Sequence, residues 1–287
     1  MSARTVVPDP RWDGLVGVYG GYVAALFADE ASDPAFALRS LTIRFTAGVE
    51  SAPFEMATSW LHRGRRTATA RMTLTQRGRL RAEATAGLFR REAEADAATH
   101  VHRSDASGTE PPSGYLARPH AQGDLAFVRN LDVRTPLPAG IEHGNRAWLR
   151  LGRPRHELGL QSGAAAVCVL LDALLPVLFA GDDPPEFVPT VEFSFAFTPA
   201  ADEVDGGWYA AANRLDWLEG DLCAEDARLV EATTGRLVVR LRQLRTVRRA
   251  ASAHPAQTAD PAAPAAASVP TGPPNGGPAP AHEGVTT

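Results

Sequence analysis

Gly20-Gly-Tyr-Val-Ala-Ala-Leu-Phe-Ala-Asp-Glu-Ala-Ser32, then Ser40-Leu-Thr-Ile-Arg-Phe45, sets the plan of this chain. The first stretch reads as a helix with glycines at its start, the second as a strand. Three further strand-like runs follow, Phe54-Glu-Met-Ala-Thr-Ser-Trp-Leu61, Arg66-Thr-Ala-Thr-Ala-Arg-Met-Thr-Leu-Thr75 and Leu80-Arg-Ala-Glu-Ala-Thr-Ala-Gly-Leu-Phe89. Apolar and polar residues alternate along them, and Gly64 and Gly78 sit between them, which is the pattern of hairpins.

The same plan recurs. The apolar run from Ala164 to Phe179 reads as a second helix, and Thr190–Phe197, Trp208–Asn213, Leu222–Glu231 and Leu237–Arg245 as strands. Gly-Arg-Leu precedes the last strand in both copies, at Gly78-Arg79-Leu80 and Gly235-Arg236-Leu237, and matching Ser40 to Thr190 sets Phe45 on Phe195. A helix followed by an antiparallel meander, made twice, predicts an α+β fold in which each sheet is covered by its helix. The boundaries read as an N-terminal repeat over residues 1–91, a polar linker over 92–122, a C-terminal repeat over 123–249 and a tail over 250–287. The Ala/Pro/Gly-rich tail cannot bury enough apolar surface to offset its ordering entropy, so disorder is expected there.

Composition excludes several classes. A net charge of −4 gives no reason to expect nucleic acid or an anionic membrane as partner. All 29 basic residues are arginine, so no Schiff-base or P-loop lysine exists. Cys168 and Cys223 are too far apart to suggest a disulfide scaffold or a cysteine zinc site. There is no HExxH, and Gly159-Leu-Gln-Ser-Gly163 has the wrong order for a nucleophile elbow, which argues against a metal site and a serine hydrolase. The apolar stretch 163–180 approaches membrane-spanning length but contains Asp172 and Pro176. With an N-terminus that lacks a signal-peptide core, a cytoplasmic protein is expected.

Asp172 is the one charged residue between Glu157 and Asp182. Burying an unpaired carboxylate is costly, so such a group is normally paired, protonated or used.

From Trp12 to Arg249 the chain resembles the TesB-like (type II) acyl-CoA thioesterases, which have a double hotdog fold of two tandem repeats, each a long helix wrapped by an antiparallel sheet. The resemblance rests on Val18-Tyr-Gly-Gly-Tyr-Val23, Leu61-His-Arg-Gly-Arg65 and Gly78-Arg-Leu80 in the first half. In the second it rests on Leu171-Asp172, Pro189-Thr190-Val-Glu-Phe193 and Arg242-Gln243. It implies hydrolysis of an acyl-CoA or acyl-carrier-protein thioester in fatty acid metabolism, with Asp172, Thr190 and Gln243 activating a water and no metal or cofactor. Hotdog sheets commonly pair further, which leaves a homo-oligomer open.

The chemistry suits these residue types: a carboxylate can take the proton of a water that a hydroxyl and an amide hold in place. Gly20 and Gly21, opening the first helix beside Tyr19, are expected to bind the substrate carbonyl and its developing oxyanion through backbone N–H groups. Tyr19 stands where many relatives carry a histidine. Arg63, Arg65 and Arg66 form a basic turn that could meet the phosphates of coenzyme A. The second helix, opening Gly163-Ala164-Ala165, has lost the paired glycines. The first carries Asp29-Glu30, shifted by a residue, with Ala28 in the acid's place. One working site is therefore expected, with its glycine turn from one half and its Asp, Thr and Gln from the other. Two alternatives keep the fold: hydration or dehydration of an enoyl thioester, which wants a His–Asp or His–Glu pair facing the substrate, and non-hydrolytic acyl binding.

Overall fold

The computed structural model describes residues 2–91, 108–117, 125–136 and 144–249. Helix α1 (Gly20–Glu30) follows strand β1 (Ser2–Val6) and precedes β2 (Phe36–Phe45), β3 (Phe54–Arg63), β4 (Thr67–Gln76) and β5 (Arg79–Arg90). The second half places β6 (Tyr115–Ala117), β7 (Leu131–Pro136) and β8 (Asn145–Leu151) before α2 (Gly163–Leu171). After it come β9 (Thr190–Phe197), β10 (Tyr209–Glu219), β11 (Leu222–Glu231) and β12 (Leu237–Thr246).

The described strands form a continuous sheet in the order β1-β3-β4-β5-β2-β9-β12-β11-β10-β8-β7-β6. The order β1-β3-β4-β5-β2 is repeated outward from the junction as β8-β10-β11-β12-β9, so the duplication read from the sequence is built as a pseudo-twofold. Its axis lies at the antiparallel β2–β9 pair, where Leu41 faces Phe195. The shared Gly-Arg-Leu marks equivalent hairpins, since Gly78 (φ +70°) and Gly235 (φ +71°) both occupy the left-handed region that a tight turn needs.

Alternation explains which face is buried. Phe193, Phe195 and Phe197 on β9 and Met72 and Leu74 on β4 point into a core that runs through both halves. The two helices pack on each other inside this core, and all of α2 is buried. Ala24, Ala25 and Ala28 on α1 and Ala164, Ala165 and Ala166 on α2 are buried there, small side chains that let helix backbones approach closely.

Three readings need correction. The second helix stops at Leu171 and does not continue to Phe179. In a continued helix the ring of Pro176 would meet the carbonyl of Asp172, and Leu175 before it is pushed out of helical geometry. The stretch read as linker contributes a strand, because Tyr115–Ala117 pairs with β7 at the sheet edge. Asp29 and Asp172 each lie nine residues beyond the first residue of their helices, at Gly20 and Gly163, so the acids correspond and Ala28 does not hold the acid's place. The tail over 250–287 lies outside the described residues.

Candidate active site

The two helices run antiparallel, and each acid meets the opening of the other helix. Asp29 accepts from Ser162 Oγ at 2.7 Å and from Gln161 N–H at 2.9 Å, just before α2. Asp172 is the C-cap of α2, and its Oδ2 accepts the Gly21 N–H at 2.7 Å. The second arrangement leaves more chemistry available. Asp29 has both oxygens engaged by protein donors, whereas Oδ1 of Asp172 has no such partner among the described residues.

Burial raises the Asp172 carboxyl to about 6. The Arg245 charge and the Gly21 hydrogen bond oppose that rise, and Glu225 adds to it. The C-terminal end of a helix dipole also disfavours a carboxylate.

Gly21 has to be glycine at this approach. A Cβ there would sit 2.8 Å from Cε1 of the Tyr19 ring and 3.0 Å from the Asp172 Cβ, and at Gly20 it would sit 3.3 Å from Asp172 Oδ2. The expected role of this turn is therefore divided. A helix leaves its first four N–H groups without partners inside it. Here Tyr22 and Val23 return to the Tyr19 carbonyl, and Gly21 serves Asp172. Gly20 N–H is the one left for a ligand among the described residues.

Tyr19 is a support for this turn. Its hydroxyl donates to the Val169 carbonyl at 3.0 Å, and its ring stacks on Phe127 at 4.0 Å.

Thr190 and Gln243 come together on adjacent strands. Phe193, Phe195 and Phe197 point inward, so a regular strand would turn Thr190 away from the core. A bulge intervenes: Arg245 pairs with Thr190 while its neighbour Leu244 pairs with Glu192, leaving Val191 as the extra residue. Bulges re-aim side chains in this way, and Thr190 Oγ1 meets the buried Arg245 guanidinium at 2.8 Å. Gln243, 3% exposed, shares the inward face of β12 with Leu241 and Arg245, and its Oε1 also accepts from Arg245.

Sequence reasoning missed Arg245 and its buried partner Glu225, which are 3.1 Å apart. The available signal was an Arg two residues beyond a Gln, on the face that alternation assigns to the core.

The Arg turn does not join this group. Arg63 pairs with Asp33 at 2.7 Å and lies over the rings of Phe36 and Trp60. Arg65 and Arg66 are exposed beside it. Asp33 follows the C-terminal end of α1, whereas Asp172 accepts from Gly21 in its first turn. Among the described residues no cluster of three or more His, Cys, Asp or Glu could hold a metal ion, and no helix is long and apolar enough to cross a membrane.

Comparison with known proteins decides the class. The acyl-CoA thioesterase N-terminal domain family matches residues 8–89, and the acyl-CoA thioesterase C-terminal domain family matches residues 100–247. The chain belongs to the acyl-CoA thioesterase family. It is a thioester hydrolase acting on acyl-CoA, with the tandem double hotdog fold. No curated protein matches it.

Among solved structures, a conserved hot dog protein of unknown function from Alicyclobacillus acidocaldarius is 20% identical with a TM-score of 0.70, covering 87% of this chain and 93% of that one. The acyl-CoA thioesterase II TesB2 of Mycobacterium marinum is 17% identical with a TM-score of 0.60, covering 83% and 92%. The tesB protein of Mycobacterium avium subs. paratuberculosis is 18% identical with a TM-score of 0.61, covering 85% and 91%. These likenesses concern the fold; the two matched domains carry the thioesterase assignment.

Proposed function

We propose that this thioesterase hydrolyses its substrate at one site shared between the halves, with Asp172 as general base. The observation that carries the reading is the Asp172 carboxylate: one oxygen is fixed by Gly21, and the other has no protein partner among the described residues. At about 6, its pKa makes it a stronger base than an ordinary carboxylate and still mostly ionised at neutral pH.

Asp172 takes a proton from a water held by Thr190 and Gln243. The water oxygen bonds to the thioester carbonyl carbon, and the charge that forms on the carbonyl oxygen meets the N–H of Gly20. The carbon–sulfur bond then breaks, and the proton on Asp172 goes to the departing thiolate. The products are the free acid and the thiol. Among the described residues no histidine hydrogen-bonds to Asp172, Thr190, Gln243, Arg245 or Glu225.

A carrier-protein thioester presents the same reacting group, so the reading extends to it. The two carriers differ at the far end of the pantetheine arm.

The test is a single turnover in 18O-labelled water with enzyme in excess. General-base attack puts the label directly in the acid produced. An unlabelled first-turnover acid would mean that Asp172 itself attacks the carbonyl, and the reading would fall.

A further inference from the structure

Thr190 and Gln243 are bound to each other through Arg245. Its guanidinium is buried, with Nε donating to Glu225 Oε2 at 3.1 Å and Nη1 to Thr190 Oγ1 at 2.8 Å and the Val188 carbonyl at 3.3 Å. Nη2 donates to Gln243 Oε1. Glu225, 1% exposed, uses its other oxygen to accept the Val177 N–H. Val177 opens the short helical turn after Pro176, on the segment that leads away from Asp172. A hydrogen-bonded path thus runs from the chain beyond Asp172 through Glu225 and Arg245 to both remaining residues of the site.

A guanidinium offers donors only. Whatever faces Arg245 must do so through an acceptor, so the oxygens of Thr190 and Gln243 are committed to it. What they can offer elsewhere is then the Thr190 O–H and the Gln243 N–H groups. Without Arg245 the hydroxyl would rotate and the amide could turn over, each presenting oxygen in place of hydrogen.

We propose that the Arg245–Glu225 pair is the positioning element of this site, fixing Thr190 and Gln243 as hydrogen-bond donors and tying them to the segment that follows Asp172. The proposal rests on the catalytic reading above. Stability alone is a poor reason for the pair, because apolar residues of similar volume often replace a buried ion pair without loss. The inward positions of β5, the strand that corresponds to β12, are Ala82, Ala84, Ala86 and Leu88, all buried and apolar. The fold therefore packs the same place without an ion pair on the side where Asp29 is engaged by Gln161 and the N-cap Ser162. The groups facing Asp172 are the Gly21 amide from α1, Cys168 from α2 (its thiol held protonated by burial), Arg245 from β12 and Glu225 from β11.

The test compares the full-length enzyme with the double variant Arg245→Met/Glu225→Gln, which removes both charges and strands neither. Its melting temperature is expected close to wild type and its KM little changed, while kcat falls about 100-fold because the donors lose their geometry. A folded double variant with wild-type kcat would overturn the proposal.

Should the double variant fail to fold, Arg245→Lys decides: it keeps a cation beside Glu225 but lacks the fork that reaches both Thr190 and Gln243, so kcat should fall about tenfold or more with KM little changed. A folded Arg245→Lys with wild-type kcat would overturn the proposal. Asp172→Asn is measured alongside. If it keeps hydrolysing, both readings fall; if it is silent and the double variant is active, only the positioning role falls.

Discussion

The Gly21 N–H donates to Asp172 Oδ2 at 2.7 Å across 151 positions of sequence, joining the first turn of α1 to the C-cap of α2. This contact joins the two halves, and it depends on the missing Cβ at Gly21. Gly21→Ala would force the new methyl against the Tyr19 ring and the Asp172 Cβ. The expected result is a loss of about 1–3 kcal/mol in stability by overpacking. The accompanying fall in turnover should be about 100-fold, the effect of a misplaced base. Denaturant melts and thiol release on the same preparation check both.

The Asp172 carboxyl, raised to about 6 by burial, should set the acid limb of the pH profile. The kcat/KM of the free enzyme is expected to fall below about pH 6 as the base protonates.

The same shift has a cost in stability. A carboxyl whose folded pKa lies above its unfolded value stabilises the fold while protonated, and that contribution is lost as pH rises from about 4 through about 6. The loss is at most about 3 kcal/mol for a shift of roughly two units. Asp172→Asn, whose amide oxygen can still accept from Gly21, should therefore melt higher than wild type at pH 8. The difference should vanish near pH 4 in melts run across that range.

Thr190 and Gln243 share the Arg245 guanidinium and, in the proposed mechanism, one water. Thr190→Ala and Gln243→Ala should each lower kcat by about ten- to a hundredfold, and the double variant by less than the product of the two, as expected for residues acting as a unit. A double-mutant cycle in kcat/KM measures the difference.

The duplication was legible because each repeat carries alternating strands bounded by turn residues. The bounds of β9 and β11 match their sequence reading, Thr190–Phe197 and Leu222–Glu231. Strands β1, β6, β7 and β8 escaped it, lying toward the ends of the sheet where alternation is weaker; β1 buries only Val6. Asp172 stood out because a lone carboxylate in an apolar run needs a reason. Arg245 did not, because an arginine in an alternating strand reads as solvent-facing until the register sets it inward beside Gln243 and opposite Thr190. The bulge at Val191 leaves no mark in composition. The correspondence of Asp29 with Asp172 required the helix starts, which ±1 errors in a sequence reading obscure.

The most direct test of a single shared site compares Asp29→Asn and Asp172→Asn in acyl-CoA hydrolysis. The acids occupy equivalent places, about 12 Å apart along α1 by helix rise. Asp172→Asn should lose about a hundredfold or more in kcat as expected for removal of a general base. Asp29→Asn should stay within about threefold of wild type, as for an independent distant position. Equal losses in the two variants, or the larger loss in Asp29→Asn, would contradict the account.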